Sequence, residues 1–192
     1  MTCFVTFFPF HFLHFILTQG QMAGSKNIYI TGFMATGKSV TGKLLARKLN
    51  RFFVDTDKEV ETETNLAIED IFSSQGESGF RLLERELIAR ISQRSNLVVS
   101  LGGGAILTAE NRAIFKKGQL IFLSTPFQQI WERLQHSQHR PLAKLNFDTL
   151  HQLYQDRLPL YNESDIIIDC AQQDTESICQ NILQRIKEHE NH

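Results

Sequence analysis

Five short apolar runs, separated by stretches of helical periodicity, organise the hydrophobic pattern of the chain after residue 22. The runs cover residues 27–31, 52–54, 97–101, 120–123 and 166–168. They are apolar in succession rather than in alternation, which is typical of strands buried on both faces of a parallel sheet. The pattern therefore predicts an α/β three-layer sandwich, in which helices cover both faces of a five-stranded parallel sheet.

The segment between the second and third runs predicts two helices. Apolar residues recur at helical spacing over 60–71 and again over 80–91. Gly76 and Gly79 separate the two sets, and glycines punctuate regular structure. We therefore expect both glycines to lie in a gap between two helices.

Residues 1–21 differ from the rest of the chain because they contain no Asp, Glu, Lys or Arg but six of the 15 Phe. The apolar stretch 3–17 is shorter than the roughly 20 residues that cross a bilayer. It also lacks the basic residues and the cleavage site of a secretory signal. We expect 1–21 to be an N-terminal extension that is disordered or not translated, with Met22 as the physiological start. A membrane-surface anchor is the alternative. Residues 22–192 are then one domain.

Composition excludes several classes of protein. The 192 residues carry 20 Lys and Arg against 21 Asp and Glu, which is unlike a polybasic nucleic-acid module or a disordered tail. The three cysteines are odd in number and lack metal or redox spacing, so we expect a reducing compartment. We expect a cytoplasmic monomer that binds neither nucleic acid nor membrane.

The first run leads into a phosphate-loop pattern, G-x-x-x-x-G-K-[ST], at residues 32–39. Its glycines let backbone N–H groups wrap the phosphates of a nucleotide. Lys38 would neutralise charge on the outer phosphates and the Ser39 hydroxyl would bind Mg²⁺. The loop predicts nucleotide binding, but it does not distinguish a kinase from a GTPase, a motor ATPase or a nucleotide sensor.

Acidic residues follow the second run. Asp55 and Asp57 are two apart, so in extended geometry they point to the same face. One carboxylate would orient Mg²⁺ and the other would accept the proton of an attacking hydroxyl. The alternative is that the pair only caps the next helix.

Arg81 and Glu84 are spaced i, i+3, so Glu84 would hold the guanidinium toward a carboxylate ligand. A surface ion pair is the alternative.

Glycines at 102–104 follow the third run, where open α/β sheets place their ligands. Glycine there lets a ligand approach the main chain, although a simple turn is the alternative. Further along, 136–157 predicts a mobile lid with Arg140 and Arg157 toward its two ends. A lid would exclude water and bring positive charge to the transferred group.

In their order along the chain, these motifs closely resemble the shikimate kinase family of small phosphate-loop kinases. The resemblance covers about residues 27–186. It rests on Gly-Phe-Met-x-x-Gly-Lys-Ser at 32–39, Asp-Thr-Asp at 55–57, Gly-Phe-Arg at 79–81, the triple glycine at 102–104, Arg-Pro-Leu at 140–142 and Arg-x-Pro-Leu-Tyr at 157–161. It implies ATP-dependent phosphorylation of the 3-hydroxyl of shikimate, in the pathway to chorismate and the aromatic amino acids. It also implies Mg²⁺ as the cofactor and the strand order 2-3-1-4-5.

The resemblance also implies roles for individual residues. Asp57 is implied to bind the shikimate hydroxyls and act as the base, with Lys38 and the lid residue Arg140 at the transferred phosphoryl group. Asp55 and Ser39 are implied to lie on the Mg²⁺ side, and Arg133 resembles the arginine that packs on adenine. The implied substrate-binding set is Asp57, Arg81, Gly102, Gly103, Gly104 and Arg157. The implied ATP-binding set is Ala35, Thr36, Gly37, Lys38, Ser39, Val40, Arg133 and Arg140.

Two positions depart from the family. Ala35 stands where a glycine is usual, which strains the loop if that position requires a positive φ. We expect Ala35 to be tolerated, because the general phosphate-loop pattern leaves the position open. Ala143 stands where a leucine commonly follows Arg-Pro-Leu, which affects only the packing of the lid.

Two other functions are open to the sequence. A gluconate kinase would share the phosphate chemistry and differ in its hydroxyl contacts. A nucleotide-binding regulator, or an inactive relative fused to an N-terminal membrane segment, would need no base and no lid arginine. The histidines form no convincing metal site, so only Mg²⁺ bound with ATP is implied.

Overall fold

The computed structural model of the protein describes residues 26–135 and 146–190. The strands are β1 (Ile28–Thr31), β2 (Phe52–Asp55), β3 (Leu97–Ser100), β4 (Gln119–Ser124) and β5 (Ile166–Asp169). The α-helices are α1 (Lys38–Leu49), α2 (Thr56–Thr64), α3 (Ile68–Ile91), α4 (Ala109–Phe115), α5 (Phe127–Gln135), α6 (Phe147–Tyr161) and α7 (Thr175–Glu190). A short 3₁₀ helix spans Ala105–Leu107.

The five strands form one parallel sheet in the order β2-β3-β1-β4-β5. In the central strand β1, Ile28 pairs with Val98 of β3 on one side and with Gln119 of β4 on the other. The predicted sheet and its order are therefore confirmed. Because all strands run the same way, the loops after β1, β2 and β3 meet at one edge of the sheet, where open sheets bind their ligands.

Two apolar cores lie on opposite faces of this sheet because successive strand residues point to opposite sides. Tyr29 belongs to the core under α3, α4, α5 and α6, whereas Ile28 and Ile30 belong to the core under α1 and α7. Every residue of β1 and β3 is buried. Burial on both faces explains why these strands are continuously apolar in sequence.

The region between β2 and β3 differs from the prediction in where its helices end. The apolar positions in 60–71 predicted one helix, but α2 ends at Thr64 because Asn65 takes a left-handed conformation, with φ 54°. The next helix, α3, runs through both glycines and is broken only at Gly76, with φ 69° and ψ −177°. That backbone conformation is essentially restricted to glycine. Gly79 is helical, so the expectation of a gap containing both glycines is wrong.

Some predicted segments lie outside the described residues. They are the N-terminal extension 1–21 and, in the predicted lid, 136–145 with Arg140. The rest of the predicted lid, from Phe147 onward, is part of α6 and packs into the core through Leu150 and Tyr154. In the two described stretches of the chain, no helix is both long enough and apolar enough to cross a membrane.

Candidate active site

The phosphate loop between β1 and α1 depends on positive φ angles. Gly32, Ala35 and Gly37 have φ of 146°, 59° and 89°. A Cβ at Gly32 would also lie 3.0 Å from the carbonyl oxygen of Leu123 in β4. Ala35 therefore does occupy a left-handed position, which costs an L-residue about 1–2 kcal/mol. The loop accommodates it, and the Ala35 carbonyl oxygen accepts a hydrogen bond of 3.0 Å from Arg133 on α5.

Lys38, the first residue of α1, folds back over this loop. Its side chain is buried, and Nζ donates a hydrogen bond of 2.7 Å to the Phe33 carbonyl oxygen. Thr36 donates to the same oxygen at 2.9 Å. These bonds hold the ammonium group at the N-terminus of α1, where the helix dipole also favours an anion. Val40, further along the first turn of α1, is largely exposed.

Oxygen atoms suited to a cation gather between the phosphate loop and β2. Ser39 Oγ donates to Asp55 Oδ2 and lies 3.5 Å from Ser100 Oγ. Asp55 Oδ1 accepts the N–H of Lys58, so this carboxylate also caps α2, and the capping alternative is correct for that oxygen. Mg²⁺ usually takes one or two carboxylates together with substrate phosphates. The hydroxyl and carboxylate oxygens present here fit that ion. Among the described residues, no group of three His, Cys, Asp or Glu side chains forms a metal cluster.

Asp57 reaches the site from a helix. Strand β2 ends at Asp55 and α2 begins at Thr56, so the extended geometry predicted for the aspartate pair is wrong. The Asp57 carboxylate instead lies over Gly102. A Cβ at Gly102 would be 2.5 Å from Asp57 Oδ1 and 2.7 Å from Glu84 Oε1. Two carboxylates therefore converge at Gly102, and the missing side chain leaves room for them.

Arg81 is oriented by two carboxylates of its own helix, α3. Nη1 donates to Glu84 at 2.8 Å, which confirms the predicted pair, and Nη2 donates to Glu77 at 3.2 Å. The contact with Glu77 was missed, although its i, i+4 spacing could have indicated it. A Cβ at Gly104 would collide with the guanidinium. The glycine therefore lets the arginine lie directly against the main chain.

Glu84 is a buried acid beneath the site, with a side chain that is 1% exposed. Burial raises the pKa of its carboxyl to about 7 against the opposing charge of Arg81, and the nearby Asp57 adds to the rise. Its Oε1 has no hydrogen-bond partner within residues 26–135 and 146–190. This carboxyl therefore changes its protonation state near neutral pH.

Arg157 on α6 is 6% exposed and lies over the ring of Phe33, with its guanidinium carbon 5.7 Å from the ring centroid. In the described part of the chain, its Nε has no hydrogen-bond partner. Arg157 and Arg81 line one cavity of about 680 Å³. A buried donor without a partner is costly. The two guanidinium groups make the cavity positively charged, which suits an anionic ligand.

Two residues of the site were not predicted to act there. Thr56 Oγ1 donates to the Ser100 carbonyl oxygen at 3.3 Å and accepts the N–H of Gly102 at 2.9 Å. Tyr161 donates from its hydroxyl to the Gly103 carbonyl oxygen at 2.5 Å. Both tie the glycine triplet to neighbouring elements. Their place inside the Asp-Thr-Asp and Arg-x-Pro-Leu-Tyr motifs was the available signal, but it does not reveal which atoms they contact.

The structure thus brings the predicted phosphate loop, both aspartates, the glycine triplet, Arg81 and Arg157 to one edge of the sheet. Arg133 is exposed and contacts the loop backbone, so its packing on adenine stays a prediction. The role of Arg140 stays a prediction as well.

Comparison with known proteins identifies relatives over most of the chain. A family model described as shikimate kinase matches residues 34–187. Shikimate kinase from Persephonella marina is 43% identical over 163 residues, which cover 84% of this chain and 99% of that protein. Shikimate kinase from Sulfurihydrogenibium sp. is 41% identical over 163 residues, which cover 84% of this chain and 98% of that protein.

Solved structures give the same family. Shikimate kinase from Acinetobacter baumannii in complex with shikimate has a TM-score of 0.82 and 36% identity, covering 86% of this chain and 94% of that chain. A gluconokinase from Sinorhizobium meliloti has a TM-score of 0.57 at 18% identity, covering 87% of this chain and 98% of that chain, which shows a common fold alone. The family resemblance inferred from the motifs is therefore confirmed: the chain belongs to the shikimate kinase family.

Proposed function

We propose that this protein transfers the γ-phosphoryl group of ATP to the 3-hydroxyl of shikimate, giving shikimate 3-phosphate and ADP on the route to chorismate. The observation that carries the proposal is the placement of two guanidinium groups, Arg81 and Arg157, in one cavity, with Arg157 also lying over Phe33 of the phosphate loop. Membership of the shikimate kinase family supports it.

The acid is held by the arginine side of the site. Shikimate has one carboxylate, and two guanidinium groups fix a carboxylate through charge-assisted, directional hydrogen bonds. Glu84 and Glu77 already set the direction of Arg81. The glycine triplet 102–104 lies beside this arginine, since the guanidinium of Arg81 lies directly against Gly104, and we expect its main chain to allow close approach of the ring.

The hydroxyl to be phosphorylated is activated by Asp57. Its carboxylate lies over Gly102 of the glycine triplet, where the carboxylate of the buried Glu84 also converges. An aspartate in that place binds ring hydroxyls and accepts the proton of the attacking one. A positioned base of this kind typically contributes about 10²–10⁴-fold to a rate.

The phosphates are held on the other side by the loop backbone, the N-terminus of α1 and Lys38. Ser39 and Asp55 would hold Mg²⁺, which supplies charge neutralisation on the outer phosphates. Arg133 would contact adenine, and Arg140 would reach the transferred group. Catalysis in such a site is mainly positioning and electrostatic stabilisation.

A coupled assay of ADP release with shikimate and with gluconate tests the proposal. We expect turnover with shikimate and none with gluconate. Phosphorylation of gluconate without phosphorylation of shikimate would refute the substrate. Lys38→Ala is the control, expected to abolish turnover without unfolding the protein, and a kcat near that of the wild type would contradict the role of the phosphate loop.

A further inference from the structure

Tyr161, at the end of α6, touches the site without belonging to any binding set derived above. It is fully buried, and its hydroxyl donates to the Gly103 carbonyl oxygen at 2.5 Å. Its ring stacks on Phe122 of β4, with centroids 5.0 Å apart and planes 18° apart. Because the ring is clamped against the sheet, the direction of the hydroxyl is fixed.

Gly103, which receives this hydrogen bond, stands between the two halves of the site. A Cβ at Gly103 would lie 3.5 Å from the Gly32 carbonyl oxygen and 3.6 Å from the Met34 nitrogen, both in the phosphate loop. The guanidinium of Arg81 lies directly against the next residue, Gly104. The position of the Gly103 peptide therefore sets the distance between the arginine side of the site and the phosphate loop.

Tyr161 also faces Arg157, the second arginine of the arginine side. Arg157 precedes it by four residues on α6, which places both on one face of the helix. Burial raises the pKa of Tyr161 to about 12, and the charge of Arg157 together with a side-chain hydrogen bond to that residue opposes the rise. The hydroxyl therefore stays protonated, and stays a donor, at any working pH.

We propose that Tyr161 is a positioning residue for the acid substrate, because its hydroxyl fixes the Gly103 carbonyl group between the arginine side and the phosphate loop. The inference rests on the proposed function and adds to the same site a residue that does not itself touch the substrate. Loss of the hydroxyl loosens the glycine triplet. The phosphate side keeps its own ties, the hydrogen bonds from Lys38 and Thr36 to Phe33.

The same helix offers a matched control. Tyr154 is 7% exposed, and its hydroxyl also donates to a main-chain carbonyl, that of Thr125, at 3.3 Å. Tyr161→Phe and Tyr154→Phe each keep a buried ring and remove one hydroxyl. Only Tyr161→Phe loses a bond to the glycine triplet, and with it the contact between the hydroxyl and Arg157.

The test measures kcat and both KM values for the two variants and the wild type, with thermal unfolding as a check on the fold. Tyr161→Phe should raise the KM for shikimate about fivefold to tenfold, as for the loss of one buried hydrogen bond, and leave the KM for ATP within twofold of the wild type. Tyr154→Phe should leave both KM values within twofold.

The inference fails if Tyr161→Phe leaves the KM for shikimate unchanged, if it raises the KM for ATP equally, or if Tyr154→Phe has the same effect. A wild-type protein that does not phosphorylate shikimate refutes the proposed function itself, and the positioning role with it. The two failures are therefore distinguishable.

Discussion

Arg81 is a residue whose geometry, beyond its charge, matters to the proposed binding of shikimate. Its guanidinium uses separate nitrogens for Glu84 and Glu77 and lies directly against Gly104. In Arg81→Lys, a single ammonium group cannot reproduce this planar fork. We expect the KM for shikimate to rise about tenfold or more, as for the loss of a charged hydrogen bond, with a smaller change in kcat.

Steady-state kinetics check this, with Arg90→Lys as the control. Arg90 lies on the same helix, is exposed, and pairs at the surface with Glu63. Its replacement should leave the KM for shikimate as it is. An unchanged KM for shikimate in Arg81→Lys would show that Arg81 does not bind the acid.

For Asp57 we expect the main effect on kcat, because its carboxylate accepts the proton of the hydroxyl. In Asp57→Asn the shape is kept and the base is lost, so kcat should fall at least about a hundredfold. Nucleotide affinity, measured by calorimetry, should change little because Lys38 and Ser39 are untouched. Weaker nucleotide binding with normal shikimate saturation would contradict the assignment.

The chemical identity of these residues was readable from the chain, but their surroundings were not. The Arg81–Glu84 pair follows from helical spacing, which depends on local geometry alone. The convergence of Asp57 and Glu84 on Gly102 involves three elements distant in sequence, and no local pattern encodes it. The left-handed conformation of Ala35 was likewise not indicated by its residue type.

At the scale of elements, the break in α3 is the feature with a measurable consequence. Gly76 has φ 69° and ψ −177°, and a Cβ there would meet nothing within 4 Å. The effect of Gly76→Ala is therefore conformational. Strain of about 1–3 kcal/mol is partly offset by about 0.4–1 kcal/mol from a stiffer unfolded chain.

We expect Gly76→Ala to lower the free energy of unfolding by about 1 kcal/mol in urea titrations. Ser78→Ala, at an exposed helical position two residues later, should match or slightly exceed the wild type. A Gly76→Ala protein as stable as the wild type would mean that the helix can straighten at no cost.

The strands were predictable and the helix ends between β2 and β3 were not, for a physical reason. Strands β1, β3 and β4 are buried on both faces along most of their length, which requires an unbroken apolar run that is visible in the residues themselves. The edge strands β2 and β5 are partly exposed, so burial on both faces does not account for their apolar runs. The turn at Asn65 is a choice of backbone conformation at a single residue within an otherwise continuous helical pattern. Apolar periodicity continues across such a turn because both flanking helices face the same core.

For the molecule as a whole, Glu84 links stability to pH. Its pKa is about 7 in the folded protein, against an ordinary value of 4.5, so the folded state binds this proton more tightly than the unfolded state. The sign follows directly: this contribution to stability is complete below pH 4.5 and is lost as the pH rises toward 7. A shift of this size corresponds to about 3 kcal/mol.

Urea titrations from pH 5 to 8 on the wild type and Glu84→Gln measure this term. The wild type should lose stability relative to the variant as the pH rises, because glutamine has no proton to release. Parallel profiles for the two proteins would show that Glu84 does not titrate in this range.

The central position of β1 has a consequence for how the protein is made. Ile28 needs Val98 and Gln119 as its two neighbours, and β2, the next strand to be synthesised, pairs with neither edge of β1. During synthesis on the ribosome, β1, which leads into the phosphate loop, therefore keeps one edge unpaired until β4 has emerged. A nascent chain arrested before Gln119 should be unable to protect that loop from a protease, whatever nucleotide is supplied.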